Sequence, residues 1–235
     1  MKALDEIKTL LSNKADTSKS FLLQKYFKAD RAAGDEPDQF LGLKVPDIRK
    51  IASQFKNVSV EDVRELIQSK YHEERLMALI LLTHLYSSAD EKLKSFFYSF
   101  YKKYSEHVDN WDLVDVSAPS IVGSYIYNHN EEEKYLFELA KSKKVWKRRI
   151  AVLATLFFIR RGSFALALMI AEYLVEDRED MVQKAVGWML REIGKRDEGI
   201  LISFLNRNYS KMPRVMLRYS IEKLSVDLKK HYIKK

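Results

Sequence analysis

Residues 73–87 read Glu-Glu-Arg-Leu-Met-Ala-Leu-Ile-Leu-Leu-Thr-His-Leu-Tyr-Ser. After a charged start, apolar residues crowd in at three- and four-residue steps through Leu76, Leu79, Ile80, Thr83 and Leu85. That period predicts a helix. The same kind of start recurs along the chain: Arg75-Leu-Met-Ala-Leu-Ile, Asp112-Leu-Val-Asp-Val-Ser, Arg149-Ile-Ala-Val-Leu-Ala, Lys184-Ala-Val-Gly-Trp-Met and Arg214-Val-Met-Leu-Arg-Tyr. Each charged residue runs into an apolar helix, at steps of 37, 37, 35 and 30 residues. A period near 40 built from helix pairs is the mark of a HEAT-type solenoid, whose second helices line a concave surface. The competing reading is an irregular helical bundle with chance spacings. The solenoid is preferred, as one domain over 1–235, and these five segments are candidates for its lining.

The rest of the chain reads as helix after helix. The pattern predicts helices at 2–13, 17–29, 46–56, 60–69, 73–87, 89–105, 110–125, 131–142, 146–161, 163–175, 180–194, 197–208, 213–223 and 226–234. Ser59 with Asp62, and Ser88 with Glu91, have capping-box spacing. Pro46, Pro119 and Pro213 suit helix starts or bends, and Gly162 and Gly199 suit helix ends. Residues 30–45 form the one long non-helical stretch. The composition agrees. Seven glycines and four prolines in 235 residues fall far below the ordinary share of about 12% for the two together. That is too few turn residues for an all-β protein of many short strands. With no cysteine, disulfides, Cys-ligated zinc and thiol chemistry are excluded.

The formal charge is +8, and it is local. Lys141 to Arg161 holds eight basic residues and no acid, and Asn206 to Lys235 holds nine basic residues and two acids, leaving the rest of the chain at −7. Basic runs are commonly solvated faces. Two concentrated stretches on a curved array instead suit the phosphate backbone of a duplex, with binding that weakens steeply in salt.

Other function classes fall away. There is no GxG, and the Gly194 to Gly199 spacing lacks the Lys-Ser/Thr of a phosphate loop. No HExxH or GxSxG occurs, and the five histidines are far apart in sequence. No metal, nucleotide or other cofactor is expected. The uncharged runs Leu76–Ala89 and Val116–Asn130 are shorter than the roughly 18 residues of a spanning helix, and the N-terminus is not a signal peptide. The expectation is a cytoplasmic monomer with no membrane partner.

One acidic helix stands out: His107-Val-Asp-Asn-Trp-Asp-Leu-Val-Asp115-Val-Ser-Ala-Pro. Asp109 or Asn110 can cap it, and Asp112 in its first turn favours the helix dipole. Asp115 lies too deep to cap, and aspartate is a poor interior helix residue. Trp111, four residues earlier, shares its face. A partly exposed Asp115 paired with a basic neighbour is the plain alternative. Trp146-Lys-Arg-Arg149 and Val182-Gln-Lys-Ala-Val-Gly-Trp188-Met-Leu-Arg-Glu also combine an aromatic with helical basic residues. For a tryptophan at helical spacing, core packing is the default. Gly187 hints otherwise, because a mid-helix glycine costs about 1 kcal/mol and often marks close approach by another backbone.

In this order, Asn-Trp111-Asp-Leu-Val-Asp115, Trp146-Lys-Arg-Arg149-Ile-Ala-Val-Leu and Val-Gln-Lys-Ala-Val-Gly-Trp188-Met-Leu-Arg-Glu closely resemble the AlkD-like DNA alkylation repair enzymes, which are HEAT-like-repeat DNA glycosylases. The resemblance spans roughly residues 20 to 225. It implies an all-α superhelix whose concave basic face holds double-stranded DNA. It further implies hydrolysis of the N-glycosidic bond of cationic alkylated purines such as N3-methyladenine and N7-methylguanine. Carried onto matching positions, Asp115 is the catalytic carboxylate, Trp111 and Trp188 flank the deoxyribose of the lesion, and Arg149 contacts DNA. Tyr26 looks like the family's N-terminal aromatic, and Lys147, Arg148 and Lys184 are further DNA-binding candidates. Asn110 departs from relatives that carry a second tryptophan there. The resemblance also implies that the base is not flipped into a pocket.

The residues suit that chemistry. A base alkylated at N3 or N7 leaves neutral and needs no general acid. The sugar gains oxocarbenium character, and a fixed carboxylate supplies electrostatic stabilisation. At about 4 Å and an effective dielectric of about 20 the attraction is roughly 4 kcal/mol. Electron-rich indole faces attract the same cation. Two alternatives compete: a non-catalytic repeat protein that binds damaged or distorted DNA, and a protein-interaction scaffold.

Overall fold

A computed structural model describes residues 3–28 and 38–233 of the chain. The all-α class is as predicted: among the described residues there is no β-strand, only an isolated bridge between Gln39 and Tyr71. The chain divides into two compact units, Met1–Ser117 and Ala118–Lys235, within what the sequence reads as one repeat domain.

The first unit contains α1 (Ala3–Ser12), α2 (Thr17–Lys28), α3 (Val45–Ala52), α4 (Val60–Ile67), α5 (His72–Ser88), α6 (Glu91–Tyr104) and α7 (Trp111–Ser117). The central helix is α5, which packs against α3, α4, α6 and α7. Its residues from Leu76 to Leu82 are all buried, as suits a helix apolar on every side. Its first turn is buried too, although it reads His72-Glu73-Glu74-Arg75. Burying four polar side chains requires partners for each, and those partners shape the site below. The Ser59 cap forms as predicted, accepting from the Asp62 amide. Ser88 does not cap; it ends α5, and Asp90 caps α6 by accepting from the Leu93 amide at 2.8 Å. Of the 30–45 stretch, residues 30–37 lie outside the described residues, 38–44 are non-helical, and Val45 already starts α3.

The second unit opens with a π-helical turn, Pro119–Gly123, followed by α8 (Ser124–Asn128), α9 (Glu133–Ala140), α10 (Val145–Ile159), α11 (Ala165–Tyr173), α12 (Asp180–Gly194), α13 (Glu198–Asn208), α14 (Arg214–Ser220) and α15 (Val226–Ile233). The expected single helix 110–125 is therefore interrupted. Proline has no N–H for the ladder, and the turn widens to an i→i+5 bond from the Gly123 amide to the Ala118 carbonyl (2.9 Å). A Cβ on Gly123 would come within 2.1 Å of the Ala154 carbonyl, so only glycine lets this turn lie against α10.

The repeat reading predicts that second helices of successive pairs stack on one another. Within the second unit α12 packs between α10 and α14, and α9 and α11 pack against α10. The five charged-to-apolar starts all fall at or near the beginnings of helices α5, α7, α10, α12 and α14. Gly162 ends α10 with φ +75°, and the Ser163 amide returns to the Phe158 carbonyl, a glycine C-cap. Gly199 instead sits in the first turn of α13, behind the Asp197 cap.

Candidate active site

Helix α7 begins where Asn110, fully buried, offers its carbonyl to the Val114 amide and its side-chain oxygen to the Trp111 amide. Leu113, Val114 and Ser117 turn into the core, which leaves Trp111, Asp112, Asp115 and Val116 on the opposite side, half-buried. All four line a cavity of about 770 Å³ within the first unit. Tyr26, 60% exposed on α2, lines it too. So do Phe27, Phe40, Leu43 and Val45, together with the basic residues Lys19, Lys44 and Arg49. Three of the predicted site residues, Tyr26, Trp111 and Asp115, thus converge on one cavity.

The tryptophan is held by an aromatic stack. Phe27 lies parallel to Trp111 at 5.7 Å and to Phe40 at 5.1 Å, and both phenylalanines pack on the His72 ring. The Trp111 indole N–H is buried and has no hydrogen-bond partner among the described residues.

Behind the stack is a charged cluster that the sequence reading missed. His72, 2% exposed, places Nδ1 at 3.1 Å from Asp38 and Nε2 at 2.8 Å from Asp112. Arg75 donates to Asp38, to Asp109 (3.0 Å) and to the Ser69 carbonyl (3.0 Å). Burial opposes charge on His72, but the bonds to Asp112 and Asp38 outweigh it and push its pKa up to about 9. Burial likewise opposes the Asp38 carboxylate, and His72 with Arg75 overcomes it, holding that pKa well below the usual range. The Arg75 guanidinium is driven further toward its charged form by Asp109 and Asp38 against the cost of burial. Asp112 and Asp109, read from sequence as a dipole acid and a possible cap, are thus ion-pair partners. The partners lie 34 to 40 residues apart, so no local pattern links them. The only visible signal is a polar His72-Glu-Glu-Arg75 turn opening a helix that is otherwise apolar. Glu73 is used differently. Its buried carboxylate accepts from the amides of Leu41, Gly42 and Leu43 at 2.9, 2.8 and 3.2 Å and so shapes one wall of the cavity.

The remaining predicted residues belong to the second unit. Trp188 is half-buried on α12, one turn after the half-buried Lys184. Gly187 is explained by close approach: a Cβ there would lie 2.5 Å from the Met216 carbonyl of α14. Trp146 is 6% exposed and belongs to the core. Arg149 is 5% exposed and donates to the Met181 carbonyl at the start of α12 (2.5 Å). Arg148 grips Asp177 through two nitrogens (2.7 and 3.3 Å) and gives a third to the Ser142 and Lys143 carbonyls. Lys147 on α10 and Lys184 on α12 are half-buried cations, while Arg148 and Arg149 brace α10 against its neighbours. No cluster of His, Asp and Glu among the described residues is arranged to hold a metal ion, and no described helix is long and apolar enough to cross a membrane.

The sequence profile of the DNA alkylation repair enzyme family matches residues 7–224. No curated protein matches significantly by sequence. Among solved structures, a predicted DNA alkylation repair enzyme from Enterococcus faecalis superposes with a TM-score of 0.70 at 18% identity, over 90% of this chain and 97% of that one. At that identity the likeness establishes a shared fold.

Proposed function

The chain belongs to the DNA alkylation repair enzyme family, and from that premise we propose that it is a monofunctional DNA glycosylase acting on cationic alkylated purines, N3-methyladenine and N7-methylguanine, in double-stranded DNA, as the first step of base excision repair. The observation supporting this reading most directly is that Asp115 and Trp111 line the same cavity one helical turn apart. A carboxylate beside an indole face suits a sugar that becomes cationic while its base leaves neutral. Asp115 stabilises that charge and orients the attacking water. Trp111, and Trp188 from the second unit, attract it through their ring faces. No cofactor takes part. Lys147, Lys184, Arg148 and Arg149 contact phosphates on a concave basic face, and Tyr26 packs against the duplex. The protein acts as a cytoplasmic monomer.

The test is base release from methylated duplex under single-turnover conditions. The wild type should free 3-methyladenine and 7-methylguanine. Asp115→Asn should keep its DNA affinity while release falls at least about 10²-fold, roughly 2.7 kcal/mol in barrier. Binding of methylated DNA without release by the wild type would favour a non-catalytic binder of damaged DNA. The carboxylate at the cavity counts against that second reading, because an acid facing phosphates weakens binding unless it has a task. Weak, salt-insensitive binding to any duplex would instead favour a scaffold.

A further inference from the structure

The chemistry above uses Asp115 and the tryptophans but has no task for the buried histidine behind them. His72 touches the support of Trp111 twice. Its Nε2 holds Asp112, the next residue in the chain, and its ring packs on Phe27, which lies flat against the Trp111 indole. Its Nδ1 holds Asp38 in the segment before α3. We propose that His72 is a positioning residue for this site: clamped between Asp38 and Asp112, its ring sets the start of α7 and so aims Trp111 and Asp115 into the cavity. The rate readout of this inference rests on the glycosylase reading; its geometric readout does not.

The clamp needs both ring nitrogens as donors, and only the imidazolium has two. With a neutral ring, one of the two carboxylates would face a lone pair. That carboxylate would turn away, either loosening the first turn of α7 or releasing Asp38. Asp112 also lines the cavity, and its bond to His72 holds its charge toward the ring, three residues before Asp115. The charged groups in contact with the His72 ring are Asp38, from the segment before α3, and Asp112, from α7. Asp115 of α7, Lys19 of α2, Arg49 of α3 and Lys44 just before it line the same cavity. On α5 itself stand Glu73, bound to three backbone amides, and Arg75, which passes the contact on to Asp109. The two carboxylates in hydrogen-bond contact keep the ring charged up to about pH 9.

The experiment uses the full chain and a duplex carrying 3-methyladenine. Single-turnover release is followed from roughly pH 6 to roughly pH 10, with spontaneous loss subtracted, so that the profile brackets the histidine titration. Wild-type release should hold level and then fall about tenfold through the alkaline range. His72→Gln should be about tenfold slower at neutral pH and lack the alkaline fall. Asp112→Asn, which keeps the shape and an acceptor oxygen, should move the fall to lower pH. In parallel, the three indole N–H resonances are recorded without DNA. His72→Gln should shift that of Trp111 and leave those of Trp146 and Trp188 in place. His72→Gln with wild-type rate at neutral pH, an unchanged alkaline fall, or an unmoved Trp111 resonance overturns the proposal. If the wild type frees no base, the glycosylase reading fails and the indole resonance alone decides the positioning role. If His72→Gln does not fold, Asp112→Asn decides it, and an alkaline fall at unchanged pH counts against it.

Discussion

Phe27 and Trp111 lie face to face, with ring centroids 5.7 Å apart and planes within 11° of each other. One belongs to α2 and the other opens α7, so the indole is oriented by a helix far from it in sequence as well as by its own.

Removing that face should act on both stability and chemistry. Phe27 is 7% exposed, and Phe27→Ala should cost about 3 kcal/mol, read from the urea midpoint. Phe27→Leu fills much of the space without a flat face. Its release rate should fall by about threefold to tenfold at nearly unchanged DNA affinity, as an orientation effect does. A Phe27→Leu protein with wild-type rate would mean that the stack does not aim Trp111.

Trp188 should contribute through its ring. Trp188→Ala should slow release about tenfold, within the range of a cation–π contact, while Trp188→Phe keeps most of the rate. Equal losses in the two variants would assign the residue to packing.

Gly187→Ala sets two effects against each other. Helix propensity alone favours alanine by about 1 kcal/mol. The new Cβ would lie 2.5 Å from both the Met216 carbonyl and the Tyr219 Cβ, and overpacking of that kind costs about 1–3 kcal/mol. The variant should therefore have a lower thermal midpoint.

Glu73→Gln replaces a carboxylate that serves three backbone amides. An amide side chain keeps one acceptor oxygen and brings an NH₂ group toward other donors. The cost should be about 1–3 kcal/mol, and hydrogen exchange should accelerate first at Leu41 to Leu43.

Stability should depend on His72 in the alkaline direction. Its folded pKa, about 9, lies above the ordinary 6.5. The folded state therefore binds the proton more tightly. The stabilisation is fully present below about pH 6.5 and is lost as pH rises through about 9. Thermal midpoints measured across that window should fall in the wild type and stay flatter in His72→Gln. Asp38 works the other way. Its folded pKa is depressed below 3.8, so its contribution is present above that value and fades as acid titrates the folded carboxylate.

Much of the site was legible because it is local. Trp111 and Asp115 sit four apart on one helix, and that spacing alone puts them on one face. The Ser59 cap and the Gly162 helix end were equally readable, since each depends on a few neighbouring residues; at Gly187 the sequence showed a glycine in a helix, and packing supplied the α14 backbone that approaches it. Ser88 shows the limit. Its spacing to Glu91 fits a cap, yet α5 continues through it and Asp90, nearer the new helix, takes the role. Arg148 and Arg149 show another. As a basic run they suggest an anionic partner, but folding gives Arg148 an acid 29 residues away and Arg149 a carbonyl 32 residues away.

The sequence by itself determined the helices, because the apolar period and the scarcity of glycine and proline act within a turn or two of chain. It also marked Trp111 and Asp115 as a pair. Only the tertiary structure decided which charges are spent on holding the fold. Burying the first turn of α5 obliges His72, Glu73 and Arg75 to find partners wherever the chain passes. Those partners, Asp38, Asp109, Asp112 and the Leu41–Leu43 amides, are chosen by packing in three dimensions rather than by spacing along the chain.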